Sequence, residues 1–198
     1  VFTTVTKEAF PVIRYRTRKR KPPKPRVDWT SVRFPGDLVQ VDAKYVSLHG
    51  NRLFQYTAID VISRFRHAEI HRTLDQATTI RFLAALRRMT PFRTRLVQSD
   101  NGMEFGRSVS TFLRRSGIRH VFSHVHRPQE NAYVERSHRI DEEEFWSVGP
   151  LGTTMEELRS RFAQYLLQYN TERPSWALKG RTPVDVLADY QLKPCHMS

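Results

Sequence analysis

The chain holds one cysteine, Cys195, in 198 residues. That excludes a disulfide-stapled scaffold and a cysteine-built zinc module, and it agrees with a reducing compartment. Long apolar runs are missing as well. None approaches the ~20 residues that a membrane-spanning helix needs, and no signal-peptide-like stretch opens the chain. Acids are scarce: 20 Asp and Glu stand against 33 Lys and Arg, for a formal net charge of +13. The remaining composition, 39% hydrophobic and 11% aromatic, is enough to bury a core. The length fits one domain with flanking segments. A basic, globular chain of this kind suits a polyanionic partner. The first residue is Val rather than Met, so we expect a piece of a longer protein.

The positive charge is concentrated at the start. Residues 1–26 hold nine basic groups (Lys7, Arg14, Arg16, Arg18, Lys19, Arg20, Lys21, Lys24 and Arg26) against the single acid Glu8. Pro22, Pro23 and Pro25 lie among them and block a helix. The segment reads as an extended basic arm. Such an arm serves equally as a solvated linker or as a strip that contacts phosphates and gives affinity without sequence specificity. We divide the chain into an arm over 1–34, a core over 35–148 and a helical extension over 149–198.

Hydrophobic patterning predicts strands at Leu38–Val46, Leu53–Val61, Phe65–Ile70, Leu96–Ser99 and Arg119–Ser123. Helices are expected at Asp75–Met89, with Asp75 or Thr78 as cap, and at Ser108–Ser116, stopped by Gly117. Further helices are expected from about Glu130 to Phe145, over Thr154–Tyr169 and over Pro183–Tyr190. Three strands followed by alternating helices and strands make an α/β fold with a mixed sheet.

Against the basic background, three acids stand out. Asp42 interrupts the apolar run Leu38-Val39-Gln40-Val41-Asp42, a poor place for a solvated charge. Asp100 ends the fourth strand and opens Asp100-Asn101-Gly102. Glu135 falls on the helix that follows the Pro128 loop. Carboxylates from two strands and a helix can converge on hard divalent cations, which favour oxygen ligands. Two such ions can activate an attacking oxygen and stabilise a leaving oxygen at a phosphodiester. Each acid also has a plain reading: Asp42 as an edge-strand acid, Asp100 as a turn residue, Glu135 as a helix-surface acid. Asp60, Glu104, Asp141, Glu142, Glu143 and Glu144 compete with them, and spacing alone leaves the choice open. Glu142 lies two turns from Glu135, about 10 Å along the helix.

Several pieces occur in a telling order. They are Gly36-Asp37-Leu38-Val39-Gln40-Val41-Asp42, Ile59-Asp60-Val61-Ile62-Ser63-Arg64, Ser99-Asp100-Asn101-Gly102-Met103-Glu104-Phe105 and Pro128-Gln129-Glu130-Asn131-Ala132-Tyr133-Val134-Glu135-Arg136. The tail Tyr169-Asn170-Thr171-Glu172-Arg173-Pro174 follows, with Leu178 and Thr182-Pro183 after it. Together they resemble the integrase catalytic core shared by retroviral integrases and the Asp-Asp-Glu transposases of bacterial insertion sequences. The resemblance covers roughly residues 35–190.

It implies a ribonuclease-H-like fold with a five-stranded mixed sheet, and Asp42, Asp100 and Glu135 as catalytic, metal-binding triad. It further implies two Mg²⁺ ions, with Mn²⁺ as a substitute, Asp42 bridging both. The activity implied is cleavage of element ends to free a 3′-OH, then joining of that 3′-OH to target DNA. Double-stranded DNA is the implied partner, with a homo-oligomer assembled on it in the bacterial cytoplasm at the nucleoid. Three departures stand out: 34 residues rather than 35 separate Asp100 from Glu135, Ala132 replaces a glycine, and Ser175 replaces a histidine. Beyond the arm, Lys44, Arg136 and Arg139 are candidate DNA contacts. Lys44 also reads as a solvated strand lysine, and Arg139, one helical turn after Glu135, as its ion-pair partner. His124 and His126 have the look of a metal pair but lack a third ligand at suitable spacing.

Overall fold

The computed structural model describes residues 25–124 and 128–191. The basic residues Arg14, Arg16, Arg18, Lys19, Arg20, Lys21 and Lys24, and also His126 and Cys195, lie outside the described residues.

Five strands form one sheet: β1 (Val39–Leu48), β2 (Asn51–Asp60), β3 (Arg66–His71), β4 (Leu96–Ser99) and β5 (Arg119–Phe122). Their order across the sheet is β3-β2-β1-β4-β5. The first three make an antiparallel meander, and β4 and β5 join parallel to β1. This is the mixed α/β sheet expected from the sequence.

Alternation along the strands sorts side chains to two faces. On one face Val39, Val41, Phe54, Tyr56 and Ala58 pack under α1 (Gln76–Met89) and α2 (Arg107–Arg115), through Phe82, Leu83, Leu86, Val109 and Leu113. On the other, Val46, Leu48, Leu53, Ala68 and Ile70 meet α4 (Met155–Thr171) through Met155, Leu158, Phe162 and Leu166. Each buried Val, Leu, Ile, Phe or Met side chain among them contributes about 1.5–3 kcal/mol of transfer free energy. Asp75 caps α1 by accepting from the Thr78 amide at 2.8 Å. Thr154 and Glu157 form a reciprocal capping box on α4, and Thr182 and Asp185 form another on α5 (Pro183–Asp189).

Two elements differ from the sequence reading. The helix expected to reach Phe145 is α3 (Ala132–Asp141) and then widens. Residues 142–146 form one broader turn, in which the Ser147 amide bonds the Glu142 carbonyl five residues back, at 3.1 Å. The wider turn brings neighbouring Phe145 and Trp146 together against Phe162. The described end of the arm is also folded onto the core. Val27 and Val32 pack on the Leu38, Val61, Leu96 and Val121 cluster, and the Phe122 amide donates to the Pro25 carbonyl at 3.0 Å.

Candidate active site

On β1 the residues Gln40, Asp42 and Lys44 share the face that α3 covers. Parallel pairing of β1 with β4 sets Gln40 opposite Gln98. Asp42 follows Gln40 by two residues, and Asp100 follows Gln98 by two, just past the end of β4. Asp42 is partly buried, and its Oδ2 lies 3.6 Å from Nδ1 of His138 on α3. Burial, together with the negative charges of Asp100, Glu104 and Glu135, pushes the Asp42 carboxyl up to about 7. Asp100 and Glu135 thus both bear on Asp42 through their charge, although Glu135 itself stands exposed on α3.

Backbone chemistry fixes the orientation of Asp100. Its Oδ1 accepts from the Gly102 amide at 2.8 Å, which makes a tight Asx turn at the strand end. The Glu104 carboxylate lies over Gly102, 2.6 Å from where a Cβ would stand, so a side chain there would displace the end of Glu104. Ser99, just before Asp100, is held by Nε2 of buried His120 at 2.9 Å.

The rival acids separate by environment. Asp60 is 1% exposed and accepts from the amides of Gly36 (2.7 Å), Ile62 (3.2 Å) and Ser63 (2.7 Å), and from the Ser63 hydroxyl (2.7 Å). It ties the β2–β3 turn to the entry of β1, where Gly36 takes a positive φ of 89°. Asp141 is buried against Arg66. Glu142 pairs with Lys44 at 2.9 Å, and Glu144 with Arg173 at 2.6 Å. Among the rivals, Glu104 adds to the negative charge around Asp42.

The proposed DNA contacts fall into two groups. Arg136 and Arg139 are exposed on α3, one and four residues after Glu135. Lys44 instead donates to the His138 carbonyl at 3.2 Å and to Glu142, so its ammonium is bound to the far end of α3. Arg26 donates to the carbonyls of Phe122 (2.8 Å) and Ser123 (2.5 Å) at the end of β5. His124 pairs with Glu130 at 2.6 Å.

Sequence reasoning missed His138. Burial, with the charges of Lys44 and Arg66, holds its imidazole down at about 4, so it is neutral at neutral pH. Its Nε2 is buried without a hydrogen-bond partner. The only signal was its place three residues after Glu135, on an adjoining strip of the same helix.

Among the described residues, no group of three or more His, Cys, Asp and Glu side chains is gathered tightly enough to hold a metal ion. The acids act on Asp42 through their charge rather than as a closed cage. The donor set is nonetheless all carboxylate oxygen, the set that hard divalent cations favour. Also among the described residues, no helix is long and apolar enough to cross a membrane.

The mixed five-stranded sheet, with Asp42 on β1, Asp100 just past the end of β4 and Glu135 on α3, is the arrangement that the integrase-core resemblance implies. An integrase core domain family model matches residues 33–128, and a second integrase core domain model matches residues 116–183. The chain belongs to the integrase core domain family. It is 24% identical over 157 residues to the putative transposase InsK for insertion sequence element IS150 of Escherichia coli (strain K12). That similarity covers 76% of this chain and 54% of InsK, so the chain spans about half the length of that relative.

Among solved structures, the HTLV-2 integrase catalytic core domain in complex with magnesium has a TM-score of 0.62 at 14% identity, over 77% of this chain and 96% of that one. The BIV integrase catalytic core domain has a TM-score of 0.63 at 20% identity, over 79% and 96%. A simian T-cell lymphotropic virus intasome in complex with PP2A regulatory subunit B56 gamma has a TM-score of 0.66 at 18% identity, over 92% and 64%. At these identities the likeness is one of fold, the ribonuclease-H-like fold implied by the sequence motifs.

Proposed function

We propose that this chain is the catalytic domain of a DNA transposase. In this reading it cleaves the ends of a mobile element to free 3′-OH groups and joins them to target DNA. The observation that carries the reading is Asp42: a carboxyl inside a net-basic protein, partly buried, facing the charges of Asp100, Glu104 and Glu135. Ionising it at neutral pH is costly beside three like charges, and divalent cations reverse that cost. Asp42, Asp100 and Glu135 are the residues that would hold two Mg²⁺ ions, or Mn²⁺ in their place. When bound, such a pair supplies activation of the attacking oxygen and offsets charge on the leaving oxygen.

The protein's own groups do the rest. The Gly102 amide holds one oxygen of Asp100 and leaves the other for binding. His138 stays neutral beside Asp42 and adds no competing positive charge. Arg136 and Arg139 present guanidinium groups for backbone phosphates next to Glu135. The basic arm, Arg14 to Arg26, adds sequence-independent affinity for double-stranded DNA. Two element ends must meet for joining, so the working form is a homo-oligomer on DNA.

The test uses the full-length gene product, Mg²⁺ or Mn²⁺, oligonucleotides from the DNA on either side of the gene, and a plasmid target. Joined products that disappear in Asp100→Asn support the reading. Unchanged joining in that variant refutes it, and cleavage without joining marks a nuclease of the same fold.

A further inference from the structure

Helix α3 begins without a cap of its own. Asn131, at the cap position, makes no side-chain hydrogen bond to the helix. The first amides of a helix lack intrahelical partners and need acceptors from elsewhere. Here the acceptor comes from another element. The side-chain oxygen of Gln40, on β1, accepts from the amide of Tyr133 at 3.1 Å and from that of Val134 at 3.3 Å. The other end of the same amide group donates to the carbonyl of Glu130 at 2.6 Å and to Oε1 of Gln98 at 3.0 Å. Both glutamines are buried, and they are register partners on β1 and β4. The orientation of the Gln40 amide follows from its partners, since Tyr133 and Val134 offer only N–H and Glu130 only a carbonyl.

The positions of these partners matter. Gln40 stands two residues before Asp42, Gln98 two residues before Asp100, and Val134 directly before Glu135. One carboxamide thus links β1, the strand that leads into Asp100, and the first turn of the helix that carries Glu135. We propose that Gln40 is a positioning residue that sets where Glu135 stands relative to Asp42 and Asp100. The inference rests on the reading of those three acids as the metal-binding set. Gln40 touches no reacting atom in this account. It acts by capping α3 and by fixing the start of that helix to the sheet.

The experiment compares wild type with Gln40→Met, similar in length but without hydrogen bonds, and Gln40→Glu, which keeps the acceptor. Residue-resolved amide exchange by NMR and Mg²⁺ titration by calorimetry are run on the same samples, followed by the joining assay. In Gln40→Met, the Tyr133 and Val134 amides should exchange at least about tenfold faster, with β2 and α4 amides unchanged. Mg²⁺ affinity should fall about tenfold, and kcat for joining should fall while the KM for end DNA holds. Gln40→Glu should keep protection at Tyr133 and Val134 and recover part of the Mg²⁺ affinity. Wild-type exchange and Mg²⁺ affinity in Gln40→Met would overturn the proposal. So would a uniform rise in exchange across the molecule, which marks general loosening. If wild type binds no Mg²⁺ and joins no DNA while Gln40→Met still releases the two amides, the metal-site reading fails and takes the positioning role with it, leaving a structural cap.

Discussion

The guanidinium of Arg66 on β3 donates to both carboxylate oxygens of Asp141 on α3, at 2.5 and 2.6 Å, and neither side chain is exposed to solvent. Gln55 (2.5 Å) and the Tyr165 hydroxyl (2.9 Å) complete the shell of Asp141, and the Arg66 guanidinium lies 4.2 Å from the centre of the Tyr169 ring. This pair anchors the C-terminal end of the helix whose first turns carry Glu135. Breaking it from one side leaves an uncompensated buried charge, at a cost of roughly 3–5 kcal/mol. Arg66→Met and Asp141→Asn should each show that loss in urea unfolding. The double variant Arg66→Met/Asp141→Leu should lose less than either single variant, because no buried charge is stranded.

Asp42 gives a prediction of opposite sign. Its carboxyl is pushed up to about 7 in the fold from an ordinary value of 3.8. Between those values the folded state holds a proton that the unfolded state has released. This group's contribution to stability therefore falls as pH rises from about 4 to 7. Asp42→Asn removes the penalty and should stabilise the metal-free protein at pH 8, by on the order of 1–4 kcal/mol. Thermal unfolding with and without Mg²⁺ checks this: the ion should raise the Tm of wild type and leave Asp42→Asn unmoved.

His138 works the other way. Its imidazole is held at about 4 against an ordinary 6.5, so acid favours the unfolded chain. Its contribution is fully present above about 6.5 and is lost as pH falls toward 4. The Asp42 and His138 slopes oppose each other over nearly the same window. In an Asp42→Asn background, unfolding free energy should rise with pH from 4 to 6.5, and adding His138→Gln should flatten that rise.

The strands and most helix bounds were legible because apolar alternation and caps are local signals. Asp42 was legible for the same reason, as a charge set in an apolar strand. Glu135 needed the motif around it, since an exposed helix glutamate has no local signature. Gln40, His138 and the Arg66–Asp141 pair were not legible. Their roles come from partners far away in sequence: Gln98 and Val134 lie 58 and 94 residues from Gln40, and Asp141 lies 75 from Arg66. The end of α3 at Asp141 was not legible because Glu142-Glu143-Glu144 favours a helix; the chain there widens into a turn whose Phe145 and Trp146 rings meet edge to face.

Asp60 separates a structural acid from the proposed metal-binding set. With four accepted hydrogen bonds and almost no exposure, it holds the β2–β3 turn against Gly36. Asp60→Ala should cost roughly 2–4 kcal/mol by stranding those donors. The fraction that folds should still bind Mg²⁺ with wild-type affinity, measured by calorimetry on the soluble protein.

The most direct measurement is strand joining with Mg²⁺ by four single variants of the full-length gene product: Asp42→Asn, Asp100→Asn, Glu135→Gln and Glu142→Gln. The first three should reduce joining at least about a thousandfold while remaining folded, as expected when a group acting as part of one catalytic unit is lost. Glu142→Gln should join within a few fold of wild type. Joining that survives in any of the first three, or that vanishes only in Glu142→Gln, would contradict the assignment of the triad.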